Sequence, residues 1–419
     1  MTDAPPPPPT PDSGAVSAPA SGTLSLDKTR LTSAQMFAPV VPPSPPDILT
    51  LPVGFTGEAG EYFRIWIVNV LLSVVTLGIY TPWARVRTRQ YFYGHTWLDG
   101  HNFEYTARPL ALLRGFLLVG ALFVVYTVSQ QVPRYGWISA VLLLLFGALY
   151  PWLVYRSLKF NAANTVYRGL NFHFHGTAGG AYVAYLLILL SVPFTAGLTY
   201  PLAVWMQRRY LLQHAAYGTA RTAWGKDVGP VYIIFLTAAG VSLGLGVVAL
   251  LVVGLAALIA GQGGGLNDLL GTLKDSLNTG ASSKRHGPQG SGAVLVGLAV
   301  GAGLLYALFI LASLALGQYV RAALLKYSLH DLYVGQTLRL QATFNPVRLA
   351  WIGTSNLVAQ VFTLGLLTPW AAVRRTRYLL GGVQVQTIAG LADFAGDATP
   401  GESALGEAAH EFFNFDLGF

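Results

Sequence analysis

The stretch Thr76-Leu-Gly-Ile-Tyr-Thr-Pro-Trp-Ala-Arg-Val-Arg87 returns later in the same chain as Thr363-Leu-Gly-Leu-Leu-Thr-Pro-Trp-Ala-Ala-Val-Arg374. The separation is a constant 287 residues, and it also joins Asn69 to Asn356 and Tyr91 to Tyr378. A second register, at 119 residues, pairs Phe55, Gly57, Gly60, Thr76, Gly78, Pro82, Arg89, Tyr91 and His95 with Phe174, Gly176, Gly179, Thr195, Gly197, Pro201, Arg208, Tyr210 and His214. A third, at 69 residues, pairs Pro82, Trp83, Arg87, Thr96, Gly100 and Phe103 with Pro151, Trp152, Arg156, Thr165, Gly169 and Phe172. Registers held over so many positions mark a duplicated unit. The unit reads as an apolar helix, a Pro-Trp break, a basic helix and a short aromatic strand. Proline ends the helical ladder and tryptophan prefers the headgroup level. Interfacial helix breaks are therefore expected at Pro82, Trp83, Pro151, Trp152, Pro201, Pro369 and Trp370.

Around these repeats the chain is 53% hydrophobic and 11% charged, with a mean hydropathy of +0.50 over 419 residues. A soluble domain carries roughly 25% charged residues. The balance excludes an ordinary soluble enzyme and a disordered regulator, and it points to a polytopic helical membrane protein. Cysteine is absent, which excludes disulfides, thiolate metal sites and a cysteine nucleophile. Seven apolar segments stand out, at about 63–83, 110–129, 137–155, 181–204, 229–261, 292–318 and 348–370. Each is near or above the roughly 20 residues that span a bilayer. The stretches Asn102-Phe-Glu-Tyr105 and Asn171-Phe-His-Phe174 alternate with period two and predict short extended segments at the cytoplasmic interface.

Residues 1–54 read as a disordered tail rich in Pro, Ala and Ser, residues 55–385 as the membrane domain, and residues 386–419 as an acidic tail. Between the fifth and sixth segments, Leu266–Leu277 could form a short amphipathic helix. The body from Phe55 to Tyr378 carries 24 basic against 8 acidic side chains. In an apolar chain that excess predicts anionic lipid headgroups as partners, not nucleic acid. The two tails are candidate sites for a protein partner.

With these residues in view, the chain resembles the YjgN family of bacterial inner-membrane proteins, built on a domain of unknown function. The resemblance rests on Gly60-Glu-Tyr-Phe63, Trp66 to Asn69, Thr76-Leu-Gly-Ile79, Pro82-Trp83-Ala84, Arg87 to Tyr91, Gly94 and Gly100. Leu325-Lys-Tyr-Ser328 and Thr363 to Tyr378 extend it, so that it covers roughly residues 55 to 385. It implies a multi-pass protein of the inner membrane and supplies no reaction, substrate or catalytic residue.

Basic residues favour the cytoplasmic side. Loops 84–108 and 156–180 are basic, and loop 130–136 carries only Arg134, as alternating spans require. Loop 205–228 then conflicts, because Arg208, Arg209, Arg221 and Lys226 fall on the side that alternation places outside. Either seven plain spans carry a weak bias, or the related segments one, four and seven break near Thr76-Leu-Gly78, Pro193–Gly197 and Thr363-Leu-Gly365 and return. In the second case the N-terminus and all basic ends are cytoplasmic, and the broken backbone must be buried or line a wet cavity.

The basic clusters Arg85, Arg87, Arg89; Arg208, Arg209; and Arg374, Arg375, Arg377 are candidate contacts for anionic headgroups, since guanidinium forks match phosphate. The alternative is that they set topology alone. Asn69 and Asn356 are intramembrane amides, expected as glue between helices or as a polar lining. Arg114 lies inside segment two and either snorkels or faces the bundle. His173 and His175 share one face of a strand, but no third metal ligand is evident. Walker, HExxH, GxSxG and GxGxxG patterns are missing. The expectation is a non-enzymatic, cofactor-free inner-membrane protein, transport-like or lipid-handling, with a membrane scaffold as the alternative.

Overall fold

The computed structural model describes residues 48–262 and 291–388. Its organising element is the two-residue hairpin. Asp99-Gly100 and Arg168-Gly169 have φ values of 47° and 72°, and 50° and 76°. Two successive positive φ angles give the turn whose twist matches that of paired strands. They join β3 (Thr96–Leu98) to β4 (His101–Tyr105) and β5 (Thr165–Tyr167) to β6 (Leu170–Phe174). Two further hairpins follow, β7 (Ala215–Tyr217) with β8 (Ala220–Ala223), and β9 (Leu332–Val334) with β10 (Leu338–Ala342).

Each hairpin pairs antiparallel with the next, and β11 (Val383–Thr387) follows β10. The sheet then returns to the start of the chain. β1 (Leu49–Pro52) pairs with β11, and β2 (Gly54–Phe55) pairs with β3. Only Val53 separates β1 from β2, and its N–H donates to Val383 O at 3.2 Å. The continuous segment 49–55 thus joins the two ends of the eleven-stranded sheet into a ring. Residues 49–54, assigned to the tail by composition, supply its closing strand. Residues 386–387, assigned to the acidic tail, end β11. Residues 1–47 and 389–419, and the Leu266–Leu277 helix, lie outside the described residues.

The ring is filled. Leu98, Tyr167, Tyr217, Val334, Val383 and Val53, from strands all around it, belong to one buried cluster. Tyr167 donates to Leu98 O at 2.7 Å and Tyr217 to Tyr167 O at 3.0 Å. Phe103 stacks on Tyr167 at 4.6 Å between centroids. Burial pushes the Tyr217 hydroxyl up to about 12 and raises that of Tyr167, so both stay donors at neutral pH.

Each of the four hairpins, and the β1–β2 segment before them, feeds a pair of helices that leaves the ring and comes back. The five pairs are α1 (Ala59–Val75) with α2 (Thr81–Gly94), and α3 (Pro109–Gln131) with α4 (Gly136–Ala163). Next comes α5 (Ala178–Tyr182), continued by a π-helical turn and α6 (Ile188–Phe194), with α7 (Tyr200–Gln213). The last two are α8 (Gly229–Gln262) with α9 (Ser291–Leu329), and α10 (Pro346–Phe362) with α11 (Thr368–Leu380). Neighbouring pairs pack through α2 and α3, α4 and α5, α7 and α8, and α9 and α10. The circle closes through α11 and α1, where Arg377 Nη2 donates to Gly57 O at 2.9 Å and Val373 packs with Tyr62 and Tyr91.

Two expectations need correction. The fold is mainly helical, but the extended segments are not isolated; they build one sheet. Of seven expected apolar helices, four, α3, α4, α8 and α9, are long and apolar enough to cross a bilayer. Segments one, four and seven break at the residues that the second of the two topologies expects, because a Schellman turn interrupts each. Leu77, Ala196 and Leu364 adopt φ near 50°, followed by Gly78, Gly197 and Gly365 near 90°. The glycine N–H reaches back five residues, to Ser73 O, Val192 O and Gln360 O at 2.7–2.9 Å, which seals the helix end. The returning helix then opens with Pro82, Pro201 or Pro369 in its first turn, where a missing N–H costs nothing.

Candidate functional site

The helix breaks therefore sit at the far tips of the short pairs, not at the ends nearest the ring. The breaking element is the Thr-Leu-Gly or Thr-Ala-Gly turn, and the proline only starts the return. Pro151 and Trp152 make no break at all. Pro151 is fully buried inside the continuous α4. It occupies the place where the three short units begin their returning helix, and this unit instead continues as one unbroken helix, long and apolar enough to cross a bilayer.

The arginines separate into two groups. Most are spent on the fold. Arg89 Nη1 donates to Tyr105 OH at 2.7 Å and to Asn161 Oδ1, joining the first unit to the second. Arg374 Nη1 donates to Ser355 Oγ and Asn356 Oδ1, both at 2.9 Å, and its guanidinium lies 5.0 Å from the Trp370 ring centre. Arg377 closes the helix circle, as described above. Arg87 reaches Tyr80 OH at 3.1 Å, and Arg209 lies over Trp205 while bonding Gln213. Arg85 is half-buried on α2.

Arg208 and Arg375 are set apart by lining one cavity. They come from α7 and α11 and meet Arg321 of α9 around a cavity of about 50 Å³. Gln318 adds an amide, and Ala322, Leu325 and Leu349 supply the apolar wall. Those three apolar residues also belong to the cluster that fills the strand ring, so the cavity abuts the base of the ring. Its lining comes from three of the five units and contains no carboxylate. A cavity of this size holds one or two waters or a small polar group. Three guanidinium groups with no carboxylate among the lining residues make it a site of positive potential, suited to a tetrahedral oxyanion.

Sequence reasoning put Arg208 and Arg375 in separate clusters and missed Arg321 and Gln318. No repeat register contains those two, and Arg321 reads as one more basic residue after an apolar segment. The remaining candidates have structural places. Asn69 and Asn356 bridge the two helices of their own unit, donating to Ala84 O at 3.4 Å and Ala371 O at 2.9 Å across the same 15-residue separation. Arg114 is exposed near the ring end of α3, as a snorkelling side chain would be. His173 and His175 stack at 6.2 Å, and among the described residues no group of three potential ligands surrounds a metal position. His95 and His214 each bond the carbonyl four residues back, at 2.7 and 2.8 Å, and so finish α2 and α7.

A tyrosine clamp repeats more faithfully than any of these. Tyr91, Tyr210 and Tyr378 each donate to a carbonyl 33 residues back, on Glu58, Thr177 and Asn345, at 2.8–3.3 Å. In each short unit it ties the end of the returning helix to the start of the outgoing one.

Long apolar helices hung from a closed sheet define a helical membrane protein. The family described as "Bacterial protein of unknown function (DUF898)" matches residues 50–412, and the chain belongs to it. Inner membrane protein YjgN of Salmonella typhimurium (strain LT2) is 37% identical over 142 residues, which cover 33% of this chain and 35% of that protein. Inner membrane protein YjgN of Escherichia coli (strain K12) is 32% identical over 147 residues, with 33% and 35% covered. The match thus spans about a third of the length of these curated relatives. No solved structure matches.

Proposed function

We propose that the protein is a multi-pass component of the bacterial inner membrane that holds the phosphate-bearing headgroup of an anionic lipid between Arg208, Arg321 and Arg375. The observation that carries this reading is the carboxylate-free cavity into which three units each contribute one guanidinium. The site binds and performs no reaction.

Charge also supports an orientation. At the ends of the long helix pairs remote from the ring the chain carries Arg134 and, in the sequence joining α8 to α9, Lys274, Lys284 and Arg285, fewer basic residues than on the ring side. The ring and its arginines are then cytoplasmic, together with the strand that begins the fold. The conflict over loop 205–228 disappears, because each short unit returns to the side it left. Lipid handling is favoured over passage along the ring axis, since Tyr167, Tyr217 and their neighbours fill that axis.

Native mass spectrometry of the extracted protein tests the proposal. A charge-assisted hydrogen bond contributes about 1.5–3 kcal/mol. The variant Arg208→Gln, Arg321→Gln, Arg375→Gln is therefore expected to lose its bound anionic lipid by well over tenfold. The control Arg87→Gln, Arg209→Gln keeps it. Equal retention in both variants defeats the proposal.

A further inference from the structure

The turns that end the outgoing helices of the three short units present apolar side chains to the outside. Leu77, Phe194 and Leu364 are 93%, 89% and 95% exposed, and Val75 and Phe362 beside them are 78% and 84% exposed. Three copies of one turn thus carry a bare apolar tip, far more than a water-facing loop retains. The N–H groups of the same turns are satisfied within the turn. In the first, the N–H groups of Thr76, Leu77, Gly78, Ile79 and Thr81 all donate to backbone carbonyls within the turn, and Tyr80 N–H donates to Thr76 Oγ1. The next residue, Pro82, has no N–H. Thr195 and Thr363 repeat the arrangement, accepting from the N–H of Thr199 and Leu367 at 3.3 Å. A loop facing water has no need to pair every N–H within itself, whereas in hydrocarbon an unpaired N–H is costly.

We infer that the three short helix pairs are re-entrant and bury their tips among the acyl chains of the leaflet on the ring side, reaching about its depth without crossing. The charged residues set that depth. Exposed Arg87 lies six residues into the returning helix and exposed Arg64 eleven residues before the end of the outgoing one. At about 1.5 Å per residue they stand roughly 9 and 17 Å from the turn. With both near the headgroups, the tip lies roughly 9–17 Å into a hydrocarbon core about 30 Å thick and does not cross it. The broken backbone therefore needs neither a wet cavity nor a protein cover. This inference does not rest on the arginine cavity.

The chain has no native cysteine, so single cysteines report cleanly. Leu77→Cys, Ile79→Cys and Leu364→Cys would be placed in sealed vesicles of phosphatidylethanolamine and phosphatidylglycerol. His101→Cys, at a ring turn, and Gln131→Cys, at the far end of α3, mark the two aqueous sides. Expected is labelling of the two markers from opposite sides by a membrane-impermeant maleimide, with the tips unlabelled from either. Nitroxides at the tips are expected to collide with oxygen severalfold more than with an aqueous nickel chelate, at a depth of about 10–15 Å. Tip labelling from the His101 side overturns the inference by placing the tips in water; labelling from the Gln131 side overturns it by making the helices spans. Because Ile79 lies outside the left-handed position of the turn, its variant answers the question if Leu77→Cys fails to fold.

Discussion

Asn69 and Asn356 occupy the same place in two copies of one unit, yet the structure predicts different consequences for removing them. Asn356 is 5% exposed, donates to Ala371 O at 2.9 Å and accepts from Arg374 Nη1 at 2.9 Å. Asn69 is equally buried, but its one bond to Ala84 O is 3.4 Å long, and its Oδ1 is buried with no partner among the described residues. In water-soluble proteins a neutral bond contributes about 1 kcal/mol and one to a charged group about 1.5–3. Inside membranes measured hydrogen bonds average only about 0.6 kcal/mol, because the unfolded chain finds other partners. Asn356→Ala is therefore expected to cost about 1–3 kcal/mol, the upper part arising from the arginine proton left unpaired. Asn69→Ala loses one long bond and also removes an unsatisfied acceptor, so its cost is about 0–1 kcal/mol. Reversible unfolding in mixed micelles by titration with dodecyl sulfate, followed by tryptophan fluorescence, measures both on one scale. Equal losses, or a larger loss for Asn69→Ala, would refute the claim that the arginine, and not the shared amide, makes the fifth unit's bridge the stronger one.

Two further expectations concern the ring and the turns. Tyr217 has a hydroxyl raised by burial to about 12, against about 10 in the unfolded chain, so the stability it contributes is whole below pH 10 and is lost as pH climbs toward 12. Tyr217→Phe is expected to cost about 1 kcal/mol at neutral pH and to flatten that alkaline loss; an unchanged alkaline profile in a stability titration contradicts it. Leu77 holds a left-handed conformation that costs an L-residue roughly 1–2 kcal/mol. In micelles Leu77→Gly should therefore gain up to about 1 kcal/mol, and a loss in the same unfolding assay would show that tip packing outweighs strain.

The repeats made the unit legible but not its number or its closure. Registers at 287, 119 and 69 residues rest on Pro, Trp, Gly and Tyr positions, which are fixed by the turns and clamps that those residues form. The fourth unit escapes every register because its helices α8 and α9 are long apolar runs without the Pro-Trp landmark. The aromatic strands were readable from period two at Asn102–Tyr105 and Asn171–Phe174, yet β7 and β9 span three residues each, too short for a period to register. The ring closure was invisible for a different reason. Pairing of Leu49 with Thr387 joins the two ends of the membrane domain, and no local pattern specifies a partner so distant. Among the arginines, sequence separates those near one another in the chain, whereas the cavity selects one from each of three units.

Closure changes what the terminal strands are for. Units one to four each complete a hairpin from adjacent sequence, but the fifth position in the ring is shared between β11 at one end of the fold and β1 with β2 at the other. Without residues 49–55, β3 and β11 would each present an open row of N–H and C=O groups at the membrane surface. Val53, Val383 and Val385 would also lose their places in the central cluster. The helix layer repeats the logic, since Arg377 holds Gly57 and Val373 packs against Tyr62 and Tyr91 at the same seam. Two independent layers, one of backbone pairs and one of side chains, therefore fasten the last unit to the first. The order of units around the ring is short, long, short, long, short, so this seam brings two short units together. It is the one junction in the circle with no long helix on either side to hold it, and sheet and helix contacts both reinforce it there.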